Sequence, residues 1–169
     1  MAKRTNIVDG RQELSPRFTV VVDTKEKKPW EFFSSSIEGT ERRHLDTGDY
    51  TVAGLETVLC IERKNSASEI AQNIHQPRFV DELERMQTFK YRYIIIECNI
   101  QNIIDFPLLE DLPQKIKDEI TISGAYILRC LNRIQVKYGV NIIYCGTFRN
   151  AQWVATNIMK EVINLEWLS

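Results

Sequence analysis

Residues 45–64 read LDTGDYTVAGLETVLCIERK, and the rest of the chain can be organised around them. Val58 to Ile61 is apolar at every position of the pleat, so a strand over Thr57 to Glu62 is buried on both faces. Glu62, Arg63 and Lys64 then form the charged end of a core strand and not a solvated edge. Upstream, Tyr50 to Ala53 and Glu41 to Leu45 read as two further short strands, with Gly48 and Gly54 at the turns, giving an antiparallel meander. Side chains alternate along a strand, so Glu62 and Lys64 share one face and Arg63 takes the other. Pairing of adjacent segments brings Asp49 beside Glu62, and two carboxylates and a lysine enter one pocket.

Before this stretch, Phe18 to Val22 is a continuous β-branched and aromatic run, a strand buried on both faces that ends at Asp23. Thr24 to Ser36 is charged and polar, and Pro29 argues for a loop in which Trp30, Phe32 and Phe33 fold back onto the core instead of stacking on an unpaired base. Residues Met1 to Pro16 lack a hydrophobic period and read as a loose arm (1–16), leaving one domain over 17–169. After Lys64 the period changes. Ser66 or Ser68 caps a helix running to Ile74, and Phe79, Leu83, Met86 and Phe89 line one face of a helix over Phe79 to Lys90. Tyr93 to Glu97 is another apolar strand ending in a carboxylate. Asn99 to Ser123 is broken by Pro107 and Pro113, the latter suited to opening a short helix. An amphipathic helix spans Gly124 to Tyr138 and is closed by Gly139, Val140 to Cys145 is a last strand, and Ala151 to Leu165 a last helix. Alternation of strands and helices in this half implies parallel pairing and an α/β architecture. The helix over 124–138 suits either the core or a subunit interface.

The chain has 169 residues, 43% of them apolar, enough for one hydrophobic core. With 22 basic and 23 acidic residues and a net charge of −1, any grip on a polyanion must be local. Cys60, Cys98, Cys130 and Cys145 lie in apolar runs without zinc-ligand spacing and read as reduced thiols, while His44 and His75 stand alone. No leader and no apolar stretch of about 20 residues is evident, so a soluble intracellular protein without membrane contact is expected.

Two carboxylates, waters and a phosphate oxygen are what a hard ion such as Mg²⁺ or Mn²⁺ accepts. Such an ion can promote phosphodiester hydrolysis, with Lys64 orienting water or balancing charge on the phosphate. An Asp…Glu-x-Lys pattern also arises by chance on solvated strands, but its place at the end of a buried strand favours chemistry. Asp23 and Glu26, flanking Lys25, offer further acidic groups; the plainer reading is a polar turn. Lys25, Lys27, Lys28, Arg63, Lys64 and Arg78 cluster in sequence around the same segments and suit phosphate contacts, although Lys27 and Lys28 alone fit an ordinary charged surface equally well.

In these segments the sequence resembles the XPF-type structure-specific endonucleases and their archaeal, bacterial and phage relatives, a branch of the PD-(D/E)xK nuclease group. Val22-Asp23-Thr24-Lys25-Glu26 is similar to the family's VDxRE, Leu45 to Tyr50 to its L-x-x-GDY, and Ile61-Glu62-Arg63-Lys64 to its ERK box. Similarity extends from about Arg17 to Leu165 and includes Arg78-Phe79 and the YIIIE strand. The resemblance implies a restriction-endonuclease-like mixed sheet flanked by helices. It implies a metal held by Asp49, Glu62 and the Arg63 carbonyl, with Asp23 and Glu26 as further acidic residues, Lys64 as catalytic lysine and Arg63 as a supporting or DNA-contacting group. It further implies Mg²⁺ or Mn²⁺, no nucleotide cofactor, DNA forks, flaps or junctions as substrate in recombination or repair, and pairing of nuclease domains into a homodimer. Lys25 stands where the family has arginine and loses a bidentate fork. Ser68 stands where it has an aspartate, with Glu69 one place later. No segment reads as the helix-hairpin-helix module or helicase motifs of cellular relatives, which weakens the expectation of branched-DNA preference. Two alternatives remain: a restriction-like nuclease on ordinary duplex, and a catalytically silent DNA-binding or dimerisation subunit.

Overall fold

Buried apolar strands in the chain's middle meet amphipathic helices on either side, and the computed structural model, which describes residues 16–167, shows the resulting sandwich. Apart from Pro16, the expected N-terminal arm lies outside the described residues. In chain order the strands are β1 (Phe18–Asp23), β2 (Ile37–Arg43), β3 (Tyr50–Val52), β4 (Leu59–Lys64), β5 (Tyr91–Ile96) and β6 (Asn141–Tyr144). The helices are α1 (Ala67–Asn73), α2 (Pro77–Met86), α3 (Ile100–Ile104), α4 (Gln114–Glu119), α5 (Gly124–Tyr138) and α6 (Phe148–Trp167).

One six-stranded sheet has the order β2-β1-β3-β4-β5-β6. β4, β5 and β6 run parallel, as the strand–helix alternation requires, and β3 is antiparallel to both β1 and β4. The meander expectation is corrected at its first member. β2 starts earlier than the expected Glu41 to Leu45 strand and pairs parallel with β1 at the sheet edge. The physical reason is the connection: the chain over 24–36 folds Trp30 against the core and returns along the sheet, so β2 restarts level with Phe18. β2 is almost wholly exposed, which is why its text carries no apolar period.

The two faces of the sheet are covered by different elements. α6 packs Ala151, Ala155, Met159, Val162 and Ile163 with Val20, Val22, Tyr50, Val52, Leu59, Ile61 and Ile95. On the other face, α1, α2, α3 and α5 pack against Cys60, Ile94 and Ile96. α5 therefore spends Ile127, Leu131, Ile134 and Tyr138 on the core. Helix boundaries follow capping chemistry. Ser66 Oγ accepts the Glu69 N–H at 3.1 Å to start α1, and Gly139, at φ 63°, ends α5 in the left-handed conformation that favours glycine. α6 begins earlier than the expected Ala151 and runs past Leu165. All four cysteines are free thiols; Cys60 and Cys145 are buried, whereas Cys98 and Cys130 are only half-buried. Among the described residues, no helix is long and apolar enough to cross a membrane.

Candidate active site

Alternation along the strands sorts the charged residues into two groups. On β4, Leu59 and Ile61 face α6 while Cys60 faces α2, so Glu62 and Lys64 continue the Cys60 side and Arg63 the other. β3 pairs with β4 through Tyr50 opposite Ile61, and one further step sets Asp49 opposite Glu62. The Asp49 N–H donates to the Ile61 carbonyl at 2.9 Å, and its own carbonyl accepts from Asp23 at 2.8 Å. Gly48 makes this turn possible. Its φ is 78°, and a Cβ there would lie 2.6 Å from Cys60 Sγ.

These residues line an open cavity of about 720 Å³ at the ends of β1 and β4, together with Asp23, Glu26, Glu69, Arg78 and Glu82. Lys64 Nζ donates to Glu62 Oε1 at 2.6 Å, lies 3.7 Å from Glu69 Oε1 and sits over the Phe79 ring at 5.0 Å. Asp49 Oδ2 accepts the Arg63 N–H at 2.8 Å. Burial pushes the Asp49 carboxyl up to about 7, against the pull of the Arg63 N–H and the Lys64 charge. Glu62 is driven well above its ordinary range, first by burial and next by the Asp49 charge, with Lys64 opposing. Burial works against the charge on Lys64, but the adjoining Glu62 carboxylate prevails and holds its pKa above normal.

Asp23 and Glu26 reach the same cavity with their oxygens already engaged. Asp23 Oδ1 accepts the Leu45 N–H at 3.0 Å and lies 3.6 Å from His44 Nδ1. Glu26 Oε1 accepts the Lys28 N–H at 2.9 Å and stands 3.2 Å from Arg63 Nη1. Lys25, Lys27, Lys28 and Arg78 are exposed at the rim. Ser68, in the place of the family's aspartate, donates to Glu110 at 2.5 Å, while Glu69 faces the cavity.

The other face of β4 holds a cluster whose members the sequence marked one by one, Arg63 by alternation, Trp30 as a packed aromatic and Glu97 as the carboxylate after β5, but did not join. Glu97 accepts Arg63 Nε at 2.6 Å and Nη2 at 3.3 Å, and Trp30 Nε1 donates to the same carboxylate at 2.7 Å. Arg63 Nη1 also donates to the Lys28 carbonyl at 2.5 Å. The guanidinium is thus committed to protein partners, and burial, which opposes its charge, is outweighed by Glu97. Trp30 stacks on Tyr50 with centroids 4.4 Å apart; its indole N–H donates to Glu97 and its backbone N–H to Tyr50 Oη. This cluster anchors the loop bearing Glu26 and Lys28 to β4. Sequence alone does not pair a loop tryptophan with a carboxylate far along the chain. Phe32 is partly buried, but Phe33 is 88% exposed, which corrects the expectation that all three aromatics pack inward.

The half-buried Asp49 and the buried Glu62 and Lys64 thus share one wall of a mixed α/β sheet. Residues 22–155 match the ERCC4 domain, and the chain belongs to that family. Solved structures with a similar fold include XPF from Aeropyrum pernix, at TM-score 0.57 and 16% identity over 87% of this chain and 64% of that one. The same archaeal protein in complex with DNA gives TM-score 0.60 and 16% identity over 86% and 65%. The chain thus matches less than two thirds of the length of these structures. A comparison with curated proteins gave no significant match.

Proposed function

We propose that this chain is a divalent-metal-dependent DNA endonuclease. The observation that carries this reading is the convergence of Asp49, Glu62 and Lys64 on one cavity, in a chain of the ERCC4 domain family. Among the described residues there is no cluster of three or more His, Cys, Asp or Glu side chains set to hold a metal. Two carboxylates nevertheless fit Mg²⁺ or Mn²⁺, which keep waters and substrate oxygens beside one or two protein ligands. Burial raises the pKa of both carboxyls, and the Asp49 charge adds to the shift at Glu62, so a cation bound between them would relieve a real electrostatic cost. Asp49, Glu62 and the Arg63 carbonyl would hold the ion, which when bound polarises the phosphoryl group and activates water.

The protein's own groups do the rest. Lys64, fixed by Glu62, presents its ammonium toward the cavity to orient the attacking water and offset charge on the phosphate in the transition state. Glu69 supplies the outer carboxylate that Ser68 lacks. Exposed Lys25, Lys27, Lys28 and Arg78 grip backbone phosphates around the cavity. Branched, flap or junction DNA in repair or recombination is the substrate class that the family suggests, and XPF from Aeropyrum pernix has been seen with DNA. A homodimer through the nuclease domain accompanies this reading.

A panel of labelled forks, flaps, gapped and linear DNA, incubated with Mn²⁺ or EDTA, tests the assignment. Cutting in Mn²⁺ and none in EDTA is expected; no cutting of any substrate leaves the silent subunit, a reading favoured by the closed Lys64–Glu62 pair. Lys64→Met is expected to lower turnover about a hundredfold or more while DNA affinity changes less than about twofold. Parallel loss of both would make Lys64 an anchor.

Carboxyl pKa values raised on folding have a defined consequence for stability. An unfolded aspartate titrates near about 4, whereas Asp49 in the folded chain titrates at about 7. Its contribution is complete below the lower value and is lost as pH rises through the higher one. Metal-free protein is therefore expected to lose melting temperature between these values, and added Mn²⁺, which takes the deprotonated site, to raise it more at pH 8 than at pH 5. Scanning fluorimetry with EDTA or Mn²⁺ reads both; a metal shift independent of pH removes Asp49 from the ligand set.

A further inference from the structure

A second cavity of about 640 Å³ lies between α6 and the segment 31–35, lined by Phe33, Ser34, Arg149, Trp153, Asn157 and Lys160 among others. Phe33 is 88% exposed and Trp153 70% exposed, although α6 has a well-filled apolar face of its own on the sheet. Trp153 lies on the side of α6 away from that face. Two large rings presented to solvent in one groove have no role in the core. Among the described residues, neither Arg149 nor Lys160 makes an ion pair, and Glu31 is the single acid on the groove wall. Serine, threonine, asparagine and glutamine side chains fill the rest of the lining.

The groove adjoins the active site through the Arg63 cluster. Lys28 lines the first cavity, its carbonyl accepts from Arg63, and the Arg63 guanidinium lies 5.4 Å from the Phe148 ring. The next residue, Arg149, lines the groove. Lys28 at the first cavity is therefore followed, past Phe148, by the exposed rings and unpaired cations of the groove.

We propose that this groove holds an unpaired strand of nucleic acid, whose bases stack on Phe33 and Trp153 and whose phosphates meet Arg149 and Lys160. Exposed aromatic rings flanked by cations recognise single strands without reading sequence, because every base has a π-face and a duplex keeps those faces stacked. Polar lining and unpaired positive charge make a nucleic acid a better match than an apolar protein surface. The proposal deepens the nuclease reading by naming where an unpaired arm of its substrate lies, and it rests on that reading only for the identity of the substrate.

Binding is measured on the full chain in EDTA, so that cleavage, or its failure, does not enter. The probes are a fluorescent oligothymidylate of about a dozen nucleotides, within the usual span of such sites, and a blunt duplex. Trp153→Ala and Phe33→Ala are each expected to weaken oligothymidylate binding about tenfold and duplex binding less than about twofold. Trp153→Phe is expected to restore most of the affinity, and Arg149→Gln to reduce the salt dependence of single-strand binding by roughly 0.7 in log–log slope. Trp153 is exposed, so an unchanged melting temperature confirms that these variants fold. The proposal is overturned if oligothymidylate does not bind, if the alanine variants bind it normally, or if both probes weaken equally. It is also overturned if Trp153→Ala converts a dimer to a monomer in sedimentation without changing oligothymidylate affinity, since the groove would then seat a second copy. Binding with loss at the rings, but no cutting in Mn²⁺, would support the groove while removing the nuclease assignment.

Discussion

Glu62→Gln is expected to lower Mn²⁺-dependent DNA cleavage by about three orders of magnitude, the rate equivalent of several kcal/mol of lost charge stabilisation. Glutamine keeps the size and a carbonyl acceptor for Lys64 but gives the cation a neutral oxygen in place of a carboxylate. The variant should fold. Lys64 retains Glu69 at 3.7 Å as a charge partner, and the substitution removes the repulsion between Glu62 and Asp49. Single-turnover cleavage of the best substrate from the panel, with circular dichroism as the folding control, measures the effect. A variant that cuts within about tenfold of the parent would show that Glu62 is no ligand, and the pair it forms with Lys64 would be structural. Asp49→Asn carries the same expectation with a smaller structural disturbance, because Asp49 meets Lys64 through charge and not through a hydrogen bond.

The legibility of this site in the sequence followed from how local its determinants are. Glu62, Arg63 and Lys64 lie on one strand, so a period of two was enough to send Arg63 to the opposite face, where the structure places it against Trp30 and Glu97. Asp49 comes from the neighbouring strand across a short connection, and its approach to Glu62 required only antiparallel pairing, which Tyr50 and Ile61 provide. The end of α5 was readable because Gly139 marks it chemically, and its start is fixed in the structure by the Ser123 cap, which the sequence reading did not single out. β2 was not, since its exposed face has no apolar alternation and its parallel partner lies across a loop. α3 was missed for a related reason: its five residues are capped by Asn99 through a reciprocal bond with Asn102 and leave only Ile103 fully buried, too little for a helical period to show. Glu97 announced itself as a carboxylate after a core strand, but its partners Arg63 and Trp30 are distant in sequence, and no spacing rule connects them. Contacts set by tertiary closure, unlike those set by strand alternation, leave no local signal.

Glu97→Ala is expected to lower stability by about 3 kcal/mol, because removing one partner leaves a nearly buried guanidinium under-compensated. Arg63 is 9% exposed at its side chain and would keep Glu26 at 3.2 Å and the Lys28 carbonyl, which sets the expectation at the lower end of the range for broken buried pairs. Trp30 Nε1 would lose its acceptor in a site where it is 2% exposed, adding the cost of an unsatisfied buried donor. Glu97→Gln separates the two contributions. Its amide carbonyl still accepts from Trp30 and Arg63 Nε, so the remaining loss is that of the charge and of the acceptor for Arg63 Nη2. For a chain of this size the alanine variant's melting temperature should fall by roughly 6–12 °C, and urea unfolding should show a lower midpoint at unchanged slope. Loss of less than about 1 kcal/mol would mean that solvent replaces Glu97 and that the loop is held by Tyr50 and the Lys28 carbonyl alone. The loop also carries Glu26 and the rim lysines, so loosening it should weaken DNA binding in the glutamine variant even at temperatures where the fold is intact. Glu97 therefore acts on the cavity through Arg63 and Trp30, as a positioning residue on the face of the sheet opposite the carboxylates it serves.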